Sequence, residues 1–189
     1  MNKIREIVKE RHNKDDFDYH IVPVVNNALV LAKKVGANLE VVKVAALLHD
    51  IGRTYSKEEG FNPENEHEFR GEEQSKIILK DLNFEDNFIE KVAYCVLVHR
   101  GRGNIKPATI EARVISCADA MAHFDTFLRL FLVFQNTTNS FEEAVDEIDK
   151  KMERNWNKKL ILPEAKVIVE EKYKAIKILI NSMKENMKK

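Results

Sequence analysis

The sequence predicts an all-α fold. Only six glycines and four prolines punctuate its 189 residues, and apolar residues recur three and four apart over long windows. Strands have little room, and roughly seven or eight helices follow from the stripes. A first helix is expected over Lys3 to Arg11, with a polar break at His12 to Asp16. The next stripe, Ile21, Val24, Val25, Ala28, Leu31 and Ala32, stops at Gly36, a residue suited to the position just past a helix end. It places His20 near the start of a second helix. A third, from about Leu39 to Ile51, is too apolar all round for a surface helix and should be central. Gly52 is expected to terminate it, leaving His49 and Asp50 in its last turn.

The stretch Arg53 to Asn65, with Gly60 and Pro63, reads as a loop over the end of that helix and a place for a lid. Helical spacing resumes over Glu68 to Leu82, Glu85 to Val98, and without a break over Thr109 to Phe134. Ser140, with Glu143 three residues later, has the capping-box pattern for a helix to about Asn155. Pro163 opens an amphipathic last helix through Val167, Tyr173, Ile176, Ile180 and Met183, and Lys184 to Lys189 should fray. The whole chain, 1–189, reads as one domain with its core over about 18–125 and the helices of 140–187 packed on it.

Thirty-one basic residues balance thirty-one acidic ones, so the broad basic field of a general duplex-binding protein is missing, although local patches remain open. The longest membrane candidate, Phe127 to Phe134, is short and interrupted by Arg129, so no membrane association is expected. Cys95 and Cys117 stand alone in apolar stretches, without CxxC spacing or a leader segment upstream. They read as buried small hydrophobes in a reducing, cytoplasmic setting.

The densest chemistry lies in Leu47-Leu48-His49-Asp50-Ile51-Gly52. A histidine and an aspartate at the end of an apolar helix are costly to bury without partners, and a divalent cation removes that cost. A histidine bonded to its neighbouring carboxylate is the competing structural explanation. Further candidates shift the balance toward a metal: His20 before the second helix, His67 after the loop, His99 at a helix end, and Asp119. The neighbours of Asp119, from Val114 to Phe124, describe a helix buried on most sides, where a carboxylate needs a cation or an arginine.

This pattern resembles the HD-domain superfamily of metal-dependent phosphohydrolases in its HDIG form, over about Asp18 to Asp125. The resemblance implies a helical bundle around a metal cavity, with His20, His49, Asp50 and Asp119 holding one divalent ion. By the same resemblance His67 and His99 would hold a second, with Asp50 bridging. Asp50 and His49 are then the catalytic pair, and Mn, Mg, Fe, Co, Ni or Zn are all admissible. No HHE or GYP element follows His99, unlike the cyclic-dinucleotide phosphodiesterases. Arg53 stands where stringent-response hydrolases carry an acidic pair.

The implied reaction is hydrolysis of a phosphate ester or phosphoanhydride, of a nucleotide or another small phosphorylated metabolite, by metal-activated water. Arg53 and Arg100, beside expected ligands, are the candidates to hold phosphate; Arg70 and Arg102 read as surface charge. His123, one turn after Asp119, is a partner of that carboxylate, a substrate contact or a plain helix-to-helix bond. His12 reads as surface. Phe124, Phe127, Phe131 and Phe134 are spaced for core packing or a homodimer face. Two rivals remain: a di-iron oxygenase using the same ligands, and a non-catalytic HD module that binds a nucleotide or a protein.

Overall fold

The computed structural model describes residues 2–54, 63–101 and 106–187, with no strand among them. Helix α1 covers Asn2–Arg11 and a single turn, α2, covers Lys14–Asp16. A π-helical turn, Phe17–Ile21, leads without interruption into α3, Val22–Val35. Gly36 ends α3 in the left-handed region at φ 71°, a conformation that disfavours any side chain. Asn38 then caps α4, Leu39–Leu48, its Oδ1 accepting from the amides of Glu40 at 3.0 Å and Val41 at 3.1 Å.

Helix α4 is the expected centre. Val41, Val42 and the run Val44 to Leu48 are all buried, and α1, α3, α6 and α7 pack around it. It ends at Leu48, however, three residues earlier than expected. His49 is its C-cap, and a 3-10 turn, Ile51–Thr54, follows. Gly52 is therefore no helix terminator. A Cβ there would stand 2.1 Å from the His67 carbonyl oxygen and 2.7 Å from the Gly71 amide nitrogen. Its lack of a side chain is what lets the turn lie against α5.

Helix α5, Pro63–Asp81, starts about five residues earlier than expected, so His67 lies inside a helix rather than ahead of one. It packs on the 3-10 turn and on α6, Asp86–Val98. Of the loop expected over Arg53 to Asn65, Arg53 and Thr54 belong to the 3-10 turn and Pro63 to Asn65 to α5, while 55–62, with the lid expected there, and Arg102 fall outside the described residues. The long helix after Thr109 is in fact two, α7 Ile110–Asp125 and α8 Phe127–Thr137. The Thr126 hydroxyl donates to the Ala122 carbonyl at 2.8 Å and its backbone leaves the helical region at φ −114°, ψ 32°. Such local competition for a carbonyl is a known reason for helices to bend or stop at threonine.

Ser140 caps α9, Phe141–Arg154, through Glu143 N at 3.1 Å, while the Glu143 carboxylate reaches back to the amide of Asn139 at 2.9 Å. The box thus closes one residue earlier than the standard pattern. A second π turn, Asn155–Lys159, joins α9 to α10, Pro163–Met187, which lies on α3, α7 and α9. Cys95 and Cys117 are free and buried. Phe124 and Phe127 are buried, with Phe131 and Phe134 half-buried against the core. No described helix is long and apolar enough to cross a membrane.

Candidate metal centre

Helix ends and π turns deliver the polar groups to one place. His49 and His99 are the C-caps of α4 and α6, and each ring donates from Nδ1 to the carbonyl three residues earlier, Ala46 at 2.8 Å and Val96 at 2.6 Å. The last carbonyls of a helix lack intrahelical partners, so each ring satisfies one and is itself fixed. A neutral imidazole with its proton on Nδ1 has a lone pair on Nε2, the form a metal requires. Burial drives the His49 pKa down to about 3, keeping it neutral.

Asp50 stands between two groups of imidazoles. Its Oδ2 lies 3.2 Å from His20 Nε2 and 3.6 Å from His49 Nε2. Its Oδ1 lies 3.3 Å from His67 Nε2 and 3.5 Å from His99 Nε2. His20 and His49 bring their Nε2 atoms within 3.2 Å of each other, and His20 Nε2 is also 3.6 Å from Asp119 Oδ1. Atoms bound to one ion at roughly 2.1 Å lie about 3.0 Å apart at right angles and about 3.4 Å apart in a tetrahedron. The observed separations have that scale, so the donor set fits a divalent cation on each side of Asp50.

Charge agrees with geometry. Burial pushes the Asp50 carboxyl up, but the Arg53 guanidinium and the surrounding imidazoles outweigh it and hold the group well below the usual carboxylate range. Asp119 behaves alike: burial raises it, and Lys159 with His123, His20 and His49 brings it well below. For His20, burial disfavours the proton, yet the hydrogen bond and charge of Asp50 and the charge of Asp119 raise its pKa. A proton on His20 and a cation beside it thus compete for the same negative charge.

The six expected ligands therefore converge. The buried Asp119 has found its cation in Lys159, whose Nζ sits 3.0 Å from Oδ2 and donates to the His99 carbonyl at 3.2 Å. Both His20 and Lys159 lie on π turns, local irregularities that recur at functional sites. His123 makes the plain interhelical bond: Asn155 Nδ2 donates to its Nδ1 at 3.1 Å. Its Nε2 is then the protonated nitrogen and faces Asp119 Oδ1 at 3.9 Å. Arg53 Nε is 2.9 Å from Asp50 Oδ1, and Arg100 Nη1 donates to Glu68 at 3.1 Å and to His67 Nδ1 at 3.3 Å. Arg70 pairs with Glu73 at 2.9 Å, as a surface charge would.

Two cavities open on this centre. The larger, about 620 Å³, is bordered by His20, Asp50, His99 and Asp119, and the smaller, about 380 Å³, shares His20, Asp50 and Arg53 with it. His12 lines the smaller one with its ring half-buried, so it is no simple surface residue. The larger is strongly basic. Arg53 and Arg100 line it, with Lys106 and Arg113 on one side and Lys151, Arg154, Lys158 and Lys159 on another. Burial brings the Lys151 ammonium down to about 8. Sequence reasoning missed the part of this wall formed by Lys151, Arg154, Lys158 and Lys159 because it lies beyond the motif and vanishes in a net charge of zero. The spacing of Lys151, Arg154 and Lys158, three and four apart, is the signal that marks them as one helical face.

Residues 17–123, more than half the chain, match the family model of the HD domain, and the protein belongs to that family of metal-dependent phosphohydrolases. Among curated proteins, 103 residues are 27% identical to ribonuclease Y of Symbiobacterium thermophilum, covering 54% of this chain and 17% of that protein. A stretch of 146 residues is 27% identical to tRNA (cytidine(56)-2'-O)-methyltransferase of Thermoplasma volcanium, covering 69% of this chain and 39% of that protein. The chain thus spans less than half of either relative. Bacillus subtilis YpgQ, solved in complex with ADP, has a TM-score of 0.76 at 17% identity over 98% of this chain and 93% of its own. A predicted HD superfamily hydrolase from an uncultured Thermotogales bacterium has a TM-score of 0.58 at 24% identity, over 80% and 84%. At these identities the two structures establish a shared fold.

Proposed function

We propose that the chain hydrolyses a phosphate ester or phosphoanhydride of a nucleotide or similar small phosphorylated metabolite in the larger cavity. One observation carries this reading: a single carboxylate, Asp50, faces His20 and His49 with one oxygen and His67 and His99 with the other. The ADP held by the YpgQ structure, the same fold, supports a nucleotide as the compound class.

The residues divide the work. His20, His49, Asp50 and Asp119 would hold one divalent ion, and Asp50, His67 and His99 a second. When bound, such ions supply Lewis acidity that activates water and neutralises charge building on phosphoryl oxygens. Arg53 and Arg100, on the cavity wall beside Asp50, orient a phosphate by planar, paired hydrogen bonds. Lys159 fixes Asp119 and keeps it ionised. His123, held through Nδ1 by Asn155, keeps its Nε2 turned toward the same carboxylate.

The test is phosphate release across nucleotides and sugar phosphates with several divalent metals, in air and without oxygen, comparing wild type with Asp50→Ala. Release independent of oxygen and lowered at least about a thousandfold in the variant is expected, the scale of losing a metal nucleophile system. Undiminished release by Asp50→Ala would falsify the assignment. Dependence on oxygen would favour the oxygenase reading, and retained metal without turnover a binding module.

A further inference from the structure

The charges of α9 are sorted by face. Asp146, Asp149 and Glu153 turn to α10: Lys184 Nζ lies 2.9 Å from Asp146 and 2.7 Å from Asp149, and Lys177 pairs with Asp149 and, at 2.9 Å, with Glu153. Lys150 pairs with Glu147 at 2.8 Å in solvent. Arg154 faces the larger cavity instead and Lys151 borders both cavities, with Lys158 continuing their line through the π turn. None of these three has a hydrogen-bond or ion-pair partner among the described residues. Arg113 of α7 lines the same cavity, its Nε donating only weakly, at 3.4 Å, to the Pro107 carbonyl.

Among the described residues this gathering of cations is unmatched within the cavity. The described carboxylates that line it are Asp50 and Asp119, and these already hold Arg53 at 2.9 Å and Lys159 at 3.0 Å. Like charges crowded on a wall repel, and a half-buried ammonium without a partner adds a desolvation cost. Because Asp146, Asp149 and Glu153 of α9 are spent on α10 and Glu147 on Lys150, the chain leaves the excess for an anion brought from outside. Arg154 and Lys158 stand on the exposed rim, and one phosphate at Asp50 leaves them without a partner.

We propose that Lys151, Arg154, Lys158 and Arg113 form a second anion subsite that takes a further phosphate of the same substrate. The substrate class is then a small molecule with two or more phosphate groups, and a monophosphate uses only the end at Asp50. The inference rests on the phosphohydrolase reading for the nature of the anion, but its test does not depend on turnover.

The experiment is titration calorimetry of the 189-residue chain in EDTA with orthophosphate, inorganic tripolyphosphate and adenosine 3′,5′-bisphosphate. The two multiply charged probes separate a contiguous phosphate chain from spaced phosphates. At least one should bind about tenfold more tightly than orthophosphate, as charge-assisted hydrogen bonds to a second phosphate allow. The doubly substituted Arg154→Ala, Lys158→Ala chain should lose that advantage, and Arg154→Lys with Lys158→Arg should keep most of it. Circular dichroism melts check that these rim substitutions leave the fold intact. Equal affinity for all three probes, or an advantage that survives the double substitution, overturns the subsite. An advantage present and lost as expected, in a protein that turns over no phosphorylated compound with any metal, supports the subsite and rejects the hydrolase reading instead.

Discussion

His49 and His67 both turn Nε2 toward Asp50, but their other ring nitrogens do opposite things. His49, like His99, caps its own helix and donates from Nδ1 to a carbonyl of that helix. Its ligating form is set by three residues of local sequence. His67 lies within α5, where no free helix-end carbonyl is at hand, and its Nδ1 instead accepts from Arg100 at 3.3 Å. A neutral ring in that arrangement carries its proton on Nε2, 3.3 Å from Asp50 Oδ1. His49 and His99, one in each half of the centre, are preorganised by backbone, whereas His67 of the second half is governed by side chains that can rearrange. The first half should therefore hold metal more tightly.

Metal content gives the largest contrast. Asp50 serves both halves, so Asp50→Ala should remove essentially all bound divalent metal, whereas His67→Ala should lower it by about one ion per chain and leave the other. Metal-to-protein ratios after desalting, read by elemental mass spectrometry, decide this. An unchanged ratio in His67→Ala removes the second half from the centre. Equal losses in the two variants would show that the halves do not fill separately.

A backbone contact sets the distance between the halves. The 3-10 turn that carries Gly52 meets α5 at His67 and Gly71, and a Gly52 Cβ at 2.1 Å from the His67 carbonyl leaves no room. Gly52→Ala should cost about 3 kcal/mol of stability, at the upper end of overpacking penalties, because backbone rather than a flexible side chain must yield. Urea denaturation measures it. The second metal should weaken before the first, since α5 carries His67 while His49 stays on α4. A neutral result would mean that the turn and α5 separate freely.

These contacts mark where sequence reading succeeds and where it stops. His49, Asp50 and Asp119 stood out because charged and imidazole groups inside apolar helical stripes are costly, and that cost is visible residue by residue; His20 joined them through the resemblance to the HD pattern. Gly52 was legible as important and misread as a terminator: its constraint is the approach of a distant helix, which no local pattern contains. The break at Thr126 depends on one hydroxyl choosing a carbonyl over solvent. Lys159 and the cationic face of α9 lay outside the recognised span, and only the fold brings Lys159 to Asp119.

The smallest expected effect probes the switch at His67 itself. For its Nε2 to ligate, the proton must move to Nδ1 and find an acceptor, and Glu68 Oε2 is 3.7 Å from that nitrogen. Burial pushes the Glu68 carboxyl up, but a backbone hydrogen bond and Arg100 bring it below its ordinary value, so it stays an anionic acceptor at neutral pH. Arg100 bonds both groups, and its swing from His67 to Glu68 alone would free Nδ1 to donate. Glu68→Gln keeps the shape and removes the charge that favours the ligating form. Affinity for the more weakly held ion should fall about tenfold, the lower end for losing a group that orients a ligand, with little change in the tighter one. Competition titrations with a chromophoric chelator resolve the two steps. Two unchanged steps would mean that Glu68 does not orient His67, and a loss confined to the tighter step would invert the ranking of the halves.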